Sequence, residues 1–404
     1  MKKIVALMLA LVMVLALAAC GSSETATAST ASTAAASDSG SSVIKIGVFE
    51  PQSGDNGPGG KQEVLGIQYA NKVRPTVTLD GKEYTVQLDI QDNQSSTDKA
   101  VSAAQQLISD GCAVVLGSYG SGVSIAAGTY FADAKVPAIG VSCTNAAVTA
   151  GNDWYFRVCF LDPFQGSVMA SFAMDEFNAK TAYVLSMLGD DYTVGLAKNF
   201  VIAFEAAGGT CVQDTFTEGT SDFSSYLQNA IDAGADVIFA PSAITYAPQI
   251  IEQANTKGID IPVMGGDTWE SSVISDAQAA TNGIQVYCST FFDENDDSGI
   301  ASEFVSGFKA WLNEDSTAYT NNGSNDVVAA VSALGYDAYN VACDAIEAAG
   351  STDGEAIRQA LVNYSGEWVT GAVTFDANGD ANKSTAYIKQ AIDGAFAFVK
   401  VQNA

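Results

Sequence analysis

Short apolar runs alternate with amphipathic stretches along most of the chain after residue 42. In the first half, buried-strand runs lie at 43–49, 85–90, 113–117 and 136–141, and helical periodicity separates them at 62–72, 98–109 and 124–134. The alternation resumes with strands at 181–187, 210–216, 237–240 and 262–265 and helices at 194–206, 226–232 and 249–256. Short buried strands between amphipathic helices are typical of parallel, doubly wound sheets. Two such runs predict two α/β lobes.

The C-terminal quarter departs from this rhythm. Residues 299–348 have mainly helical periodicity, whereas 369–375 and 386–398 are again strand-like. In open α/β sheets, ligands bind beyond the carboxyl ends of the strands, where loops lead into helix N-termini. We therefore expect a binding site on the loops that follow the strands.

The first 42 residues have a pattern of their own. Lys2 and Lys3 precede an apolar run that ends in Leu17-Ala18-Ala19-Cys20. A basic start, an apolar centre and small residues before a cut site are typical of a secretory signal. The cysteine at this place resembles the lipobox of bacterial lipoproteins, so we expect a signal peptide at 1–19 and lipidation of Cys20. An uncleaved membrane anchor is the alternative interpretation.

Residues 20–42 that follow are nearly all Ser, Thr, Ala and Gly, with Glu24 and Asp38 as the charged residues. This composition has nothing to bury and predicts a disordered tether between the lipid and a globular body. The body is then about 360 residues long, a length that favours two domains.

Composition excludes several functions. The formal net charge of −28 argues against a nucleic-acid partner, which requires basic residues. The chain has no histidine, which excludes the Ser-His-Asp and Cys-His catalytic arrangements and the usual zinc motifs.

Six scattered cysteines follow Cys20 without a C-x-x-C motif. Their sequence positions are compatible both with disulfides and with buried free thiols. We expect no cofactor and no bound metal, and we expect that the protein is not an enzyme.

Three loops after predicted strands carry candidate binding chemistry. Residues 117–122 form a Gly-rich loop before a helix, where free N–H groups favour an anion. Residues 142–145 offer hydroxyl and backbone groups, and 265–269 place a carboxylate beside Trp269. Each loop alone also fits ordinary turn chemistry. Together, an anion corner and the Asp267 carboxylate suit a zwitterion.

Two acidic stretches, 293–297 and 376–380, are similar to calcium-binding loops. The first has Ser298 where the turn glycine of an EF-hand would stand and Phe304 in place of its closing glutamate. The second is also incomplete. We expect both to be solvated turns.

The chain resembles the leucine/isoleucine/valine-binding protein family from Ile44 to Phe398. The resemblance rests on short motifs in a specific order: Ile46-Gly47-Val48 with Ser53-Gly54 and Gly66, Asp110-Gly111 before Gly117, Arg157 with Asp162 and Gln165-Gly166, Asp191-Tyr192 with Gly195, Asp222-Phe223, Ala235-Asp236-Val237, Gln253-Ala254 with Gly258, Met264-Gly265, and Gly371 with Thr374-Phe375-Asp376 and Gly379. It implies the type I periplasmic-binding-protein fold and delivery of amino acids or related compounds to an ABC transporter.

The resemblance also implies roles for individual residues. Ser121 matches the serine that binds the α-carboxylate, and Ser142, Cys143 and Thr144 match the loop that binds both ends of the amino acid. Asp267 stands where the branched-chain binders have a glutamate that pairs with the α-ammonium. Tyr192 matches an aromatic that covers the ligand from the second lobe.

Other family positions differ in this chain. The second covering tyrosine is replaced by Ala243, and the Gly57–Gly60 loop lacks the aromatic that often lies over the ligand side chain. The pocket is therefore expected to be roomier, with Tyr119 or Trp269 lining it instead. These differences argue against specificity for branched-chain amino acids, but they are compatible with recognition of an α-amino acid.

The family fold implies two lobes joined by a three-stranded hinge. Here lobe 1 is expected at 43–162 plus 290–382 and lobe 2 at 163–289 plus 383–404. Hinge closure would then trap the ligand for ABC permease subunits and their ATPases. We expect a monomer, held by lipid on the extracytoplasmic face of a bacterial cell membrane. A lipoprotein that presents an amino acid or amide to a receptor is the alternative, and an exported hydrolase is a third.

Overall fold

The computed structural model of the protein describes residues 43–404. The expected signal peptide, the lipidation site at Cys20 and the tether lie outside these residues. Among the helices of the described part, none combines the length and apolar composition that a membrane crossing requires.

The first sheet has six strands in the spatial order β2-β3-β1-β4-β5-β6. In chain order they are β1 (Val43–Glu50), β2 (Thr76–Leu79), β3 (Lys82–Asp92), β4 (Val114–Leu116), β5 (Ala138–Gly140) and β6 (Tyr155–Arg157). The pairing is parallel except between β2 and β3. Because strand side chains alternate between faces, Ile46 and Val48 of β1 enter one core, whereas Phe49 enters the core on the other face.

The second sheet has seven strands in the order β15-β14-β11-β10-β9-β7-β8. They are β7 (Thr181–Met187), β8 (Thr210–Phe216), β9 (Val237–Phe239), β10 (Val263–Gly265), β11 (Val286–Thr290), β14 (Ala386–Ile392) and β15 (Ala395–Gln402). β7 to β11 run parallel, whereas β14 and β15 form an antiparallel hairpin at the edge. A small hairpin, β12 (Ser365–Trp368) and β13 (Gly371–Thr374), stands apart from both sheets.

Helices cover both faces of each sheet. They are α1 (Gly57–Val73), α2 (Thr97–Ser109), α3 (Ser121–Ala134), α4 (Asp162–Phe177), α5 (Asp191–Ala206), α6 (Ser224–Asp232), α7 (Ala247–Thr256), α8 (Ser272–Ala279), α9 (Gly299–Glu314), α10 (Ser316–Asn321), α11 (Ala330–Ala349) and α12 (Gly354–Val362). We call the first sheet with α1–α3 and α9–α12 the first lobe, and the second sheet with α4–α8 the second lobe. The prediction of two doubly wound α/β lobes is confirmed, with mixed rather than purely parallel sheets.

One apolar core runs through both lobes. It includes Ile46 and Ile67 in the first lobe and Met169 and Phe200 in the second, and aromatic residues of the connecting segments belong to it as well. The rings of Phe160 and Phe291, for example, lie 4.3 Å apart. The chain passes between the two sheets at 158–161, 291–298 and 375–385. Apolar side chains of the connecting segments therefore join the cores of the two lobes.

Three sequence expectations need correction. The Gly57–Gly60 segment is the first turn of α1 rather than a loop, because Pro58 fits a first turn, which needs no N–H donor there. The 293–297 and 376–380 stretches are turns, but they are not solvated throughout. Asp293 is buried in an ion pair with Lys389, and Asp380 is buried in one with Arg157.

The six cysteines within residues 43–404 are all free thiols, and five of them are buried. Burial raises the pKa of the Cys112 and Cys343 thiols to about 12. These thiols stay protonated at neutral pH and contribute as small apolar side chains.

Candidate functional site

A cavity of about 80 Å³ lies between the lobes, where loops from the carboxyl ends of both sheets face each other. The first lobe lines it with residues 119–123, and the second lobe with residues 189–192, Ala243 and Thr268. The structure thus brings together three of the residues expected at the site: Tyr119, Ser121 and Tyr192.

Contacts across this cavity join the two lobes in a closed arrangement. Asn145 Nδ2 donates to the backbone carbonyl of Asp191 at 2.6 Å. Tyr246 donates its hydroxyl to Asp55 Oδ2 at 3.3 Å, and Thr245 donates its hydroxyl to the carbonyl of Asp55 at 3.1 Å. These hydrogen bonds connect loops of opposite lobes and therefore form only when the cleft is shut.

The N-terminus of α3 forms one wall of the cavity. Ser121 is its first residue, and the first-turn N–H groups of a helix have no partner inside the helix. The first turn of α3 contains no acidic residue. The buried Ser121 hydroxyl accepts a hydrogen bond from the Asn145 N–H at 3.2 Å. This wall offers hydroxyl and amide groups at the positive end of a helix dipole, which suits a carboxylate.

The loop after β5 is held from behind by a buried arginine. Arg157 donates from its guanidinium to the carbonyls of Cys143 and Asn145, both at 2.7 Å. It also donates to Thr149 and pairs with Asp380 at 2.6 Å. All of these partners lie on the loop or directly behind it. These hydrogen bonds hold the backbone of the loop without any contribution from a ligand.

The three expected residues of this loop point in different directions. Ser142 donates its hydroxyl to Glu63. The Cys143 thiol is buried in the core on one face of the first sheet, so this residue offers only backbone groups. The Thr144 hydroxyl is buried beside the Asp162 carboxyl, and its hydrogen bond acts to lower the pKa of that acid.

Asp267 stands on the second lobe at the start of a short 3-10 helix after β10. Its buried Oδ1 accepts hydrogen bonds from Gln165 Nε2 and from the Tyr192 hydroxyl, each at 2.9 Å. Burial raises the pKa of this carboxyl to about 6, although both hydrogen bonds act to lower it. A carboxylate that is fixed by two donors from α4 and α5 is positioned to receive a cation.

The two aromatic residues expected to line the pocket differ in their placement. Tyr119 lies on the cavity, and its ring packs so closely on Gly59 that a side chain there would overlap it. Trp269 is fully buried in the second-lobe core and donates its indole N–H to Ser242 at 3.2 Å. Trp269 therefore supports the Asp267 turn and does not face the cavity.

Sequence reasoning missed three buried acids around the cleft: Glu50, Glu63 and Asp162. Burial raises the pKa of Glu63 to about 8 and that of Asp162 to about 7. A signal for Glu63 was present, because it shares an apolar helix stripe with Ile67 and Ala70 at i+4 and i+7. A charged residue in such a stripe indicates a buried polar role. Glu50 ends the buried strand β1 in the same unusual way.

Comparisons with known proteins agree with this geometry. A family model described as periplasmic binding protein matches residues 43–395. A Leu/Ile/Val-binding protein homolog of Brucella abortus (strain 2308) is 26% identical over 371 residues, which cover 88% of this chain and 93% of that protein.

Solved structures give the same result. A leucine-binding protein of Thermotoga maritima is 30% identical, with a TM-score of 0.81, over 89% of this chain and 99% of that one. A branched-chain amino acid transporter substrate-binding protein of Streptococcus pneumoniae, in complex with isoleucine, is 28% identical with a TM-score of 0.78 over 90% and 99%. The chain therefore belongs to the periplasmic binding protein family, in its leucine/isoleucine/valine-binding type, whose members are solute-binding proteins of ABC transporters and not enzymes.

Proposed function

We propose that this protein captures an α-amino acid, of the branched-chain type or related, between its lobes and delivers it to the permease of an ABC importer. The observation that carries the proposal is the placement of opposite charges on opposite walls. The α3 N-terminus with Ser121 suits a carboxylate, and Asp267 on the other lobe suits an ammonium. An α-amino acid carries both groups on one carbon atom.

The proposed residue roles follow from these contacts. Ser121 and the first-turn amides of α3 bind the carboxylate, while Asp267 and the buried Thr144 hydroxyl bind the ammonium. Ser142 and Cys143 add hydroxyl and backbone groups. Tyr192 covers the ligand and fixes Asp267 at the same time.

Closure of the hinge is the proposed mechanism. The ligand is held mainly by the first lobe, and its ammonium then attracts the second lobe through Asp267. A ligand shifts a conformational equilibrium only by its difference in affinity for the two states. Asp267 supplies such a difference because it contacts the ligand only in the closed form, which the permease recognises.

A lipid anchor is part of the proposal. Cys20 would carry the lipid, and residues 20–42 would allow the binding unit to move between the medium and a permease in the same membrane. Labelling of growing cells with a clickable fatty acid tests this point. A Cys20→Ala variant should lose the label and leave the cell surface, and a variant that keeps its label would contradict the anchor.

A thermal-shift screen tests the ligand class. The purified protein is unfolded, washed and refolded, and its melting temperature is measured with the twenty amino acids, short amides, nucleosides and sugars. A ligand at a hundredfold excess over its Kd should add about 2.7 kcal/mol to the free energy of unfolding. Stabilisation by an α-amino acid supports the proposal, whereas stabilisation by sugars or nucleosides alone refutes it.

The Ser121→Ala variant tests whether the N-terminus of α3 binds the ligand carboxylate. The loss of its hydroxyl should weaken binding of the best amino acid about 10-fold, because a hydrogen bond to a charged group is lost. Ser302→Ala, on the exposed surface of α9, makes the same chemical change away from the cleft and should leave Kd unchanged.

A further inference from the structure

The short 3-10 turn that carries Asp267 ends in a second acid, Glu270. The Glu270 N–H donates to the Asp267 carbonyl at 3.1 Å, so the two residues close one turn. The Glu270 side chain is only 8% exposed, and Glu270 is not one of the residues that line the cavity between the lobes. Its role in the turn is therefore something other than contact with a ligand.

The two carboxylate oxygens of Glu270 have different partners. Oε1 pairs with the ammonium of Lys389 on β14. Oε2 accepts from the Thr290 hydroxyl, at the end of β11, at 2.6 Å and from the Ala330 N–H at 3.2 Å. Lys389 and Thr290 belong to the second lobe, as Glu270 does, whereas Ala330 is the first residue of α11 in the first lobe. One oxygen of Glu270 therefore makes a hydrogen bond between the lobes.

The N-terminus of α11 is capped by this hydrogen bond. The first-turn N–H groups of a helix have no partner inside the helix. Ala329, which precedes α11, supplies no capping side chain, and the first turn of α11 contains no acidic residue. A carboxylate at a helix N-terminus gains both a hydrogen bond and a favourable interaction with the helix dipole. Glu270 therefore caps α11 from the opposite lobe.

The helix α11 is fixed to the rest of the first lobe through α1. The Ser332 hydroxyl of α11 donates to the Gln62 carbonyl of α1 at 2.8 Å. The backbone of α11 at Ser332 also lies so close to Gly66 of α1 that it leaves no room for a Cβ there. Because α11 is held in this way, a movement of the second lobe away from the first lobe carries Glu270 away from Ala330.

The charges around Glu270 favour the same contact. Lys389 also pairs with Asp293 Oδ2 at 3.2 Å, in the segment that connects the two sheets after β11. Burial acts to raise the pKa of Asp293, but the Lys389 ammonium holds it below its usual range. One ammonium thus serves two buried carboxylates, and the cluster keeps one negative charge when both are ionised. The positive end of the α11 dipole lies against that charge and offsets part of it.

We propose that Glu270 is a positioning residue of the binding site, which caps α11 across the lobes and thereby holds the Asp267 turn in its ligand-binding position when the cleft is shut. The inference rests on the hinge closure of the proposed function and adds to it a closing contact that involves no ligand atom. Because the cap joins the lobes only in the closed form, it opposes opening. Its loss therefore speeds ligand release and leaves the rate constant of capture by the open form unchanged.

Stopped-flow fluorescence with leucine as the probe measures both rate constants. Glu270→Ala removes the cap but leaves Lys389 paired with Asp293, and it should raise koff about 10-fold at unchanged kon, because a hydrogen bond to a charged group is lost. Ala330→Pro removes the donor from the first-lobe side, at a helix position that accepts proline. The preceding residue, Ala329, already has the extended conformation (φ −67°, ψ 140°) that a following proline requires. This variant should raise koff by a similar factor, and the double variant should add nothing further, since both changes remove one contact.

Hydrogen exchange of the Ala330 amide tests the cap without a ligand. It should be about 10-fold faster in Glu270→Ala than in Glu252→Gln, an exposed change on α7 that should also leave both rate constants unchanged. Equal exchange in these two variants overturns the inference.

Two kinetic results overturn it as well. An unchanged koff in Glu270→Ala means that Glu270 serves stability alone. A rise in koff that a folded Ala330→Pro variant does not reproduce means that the contact with the other lobe is irrelevant. If leucine does not bind, the amino acid that most stabilises the protein replaces it as the probe. If no amino acid binds, the proposed function is wrong, and hydrogen exchange alone decides whether Glu270 caps α11.

Discussion

Replacement of Asp267 by asparagine separates the role of its charge from the role of its shape. Asp267 Oδ1 accepts from Gln165 and Tyr192, and an asparagine oxygen can accept both of these hydrogen bonds. The loop should therefore keep its position. The charge that would attract the ligand ammonium is lost, and an amide nitrogen that cannot accept takes the place of Oδ2.

The expected cost to binding is large because the carboxylate is only 2% exposed. Removal of one partner from a desolvated charge pair weakens binding by about 2–4 kcal/mol. That range corresponds to a Kd roughly 30- to 1000-fold higher. Titration calorimetry with the amino acid that stabilises the protein most measures this change directly.

The ligand-free protein should respond in the opposite way. Burial raises the pKa of Asp267 to about 6 from the usual value of 3.8, so its charge costs about 3 kcal/mol of folding free energy at pH 8. Asp267→Asn removes that cost and should raise the midpoint of urea unfolding. Asp260→Asn, on an exposed residue of the same lobe, should change neither binding nor stability.

Two results would refute this reasoning. An unchanged Kd would show that the ammonium does not bind at Asp267. A higher Kd together with a less stable ligand-free protein would mean that the loop had collapsed, and that the loss of charge was not the cause of the weaker binding.

Three further outcomes are expected. Tyr192→Phe removes the hydroxyl donor to Asp267 and should raise Kd about 10- to 100-fold by calorimetry, and an equal Kd would contradict its role. Lysine cannot replace the buried guanidinium of Arg157, so Arg157→Lys should lower the free energy of unfolding in urea by about 3–5 kcal/mol. Arg358→Lys, in a pair at the surface, should lower it by less than about 1 kcal/mol. The free energy of unfolding of the ligand-free protein should fall as the pH rises from 5 to 8. Folding raises the pKa of Asp267 to about 6 and that of Glu63 to about 8. The native state therefore binds more protons than the unfolded chain across that window. Thermal melts at constant ionic strength measure this slope, and stability that rises with pH would contradict it.

The two lobes could be predicted from the sequence because many of their strands are short apolar runs with clear ends. β7 and β8, for example, have the bounds expected from the sequence, Thr181–Met187 and Thr210–Phe216. α4 and β11 were not predicted. All five residues of β11 are buried, so its sequence does not alternate between polar and apolar positions, and α4 buries Asp162 and Gln165 together with its apolar residues, which obscures its helical period.

The candidate site was predictable only in part. Ser121, Tyr192 and Asp267 follow strands in the expected way, and the structure places each at the cleft. The direction in which a side chain points is not determined by its own segment alone, however. Trp269 turns into the core because Gly265 leaves room for its ring, and Glu63 turns toward Ser142 because α1 packs close to the β5 loop. Such choices depend on neighbours that are distant in sequence.

The apolar core that runs through the hinge has a consequence for cooperativity. Phe160 and Phe291 pack within the same core as the strands and helices of both lobes, so neither lobe can unfold without exposing surface that the other buries. Calorimetry should then record one endotherm whose van't Hoff and calorimetric enthalpies agree. A ligand that touches only a few loops would therefore stabilise every strand of the molecule by the same free energy, as amide hydrogen exchange could show residue by residue.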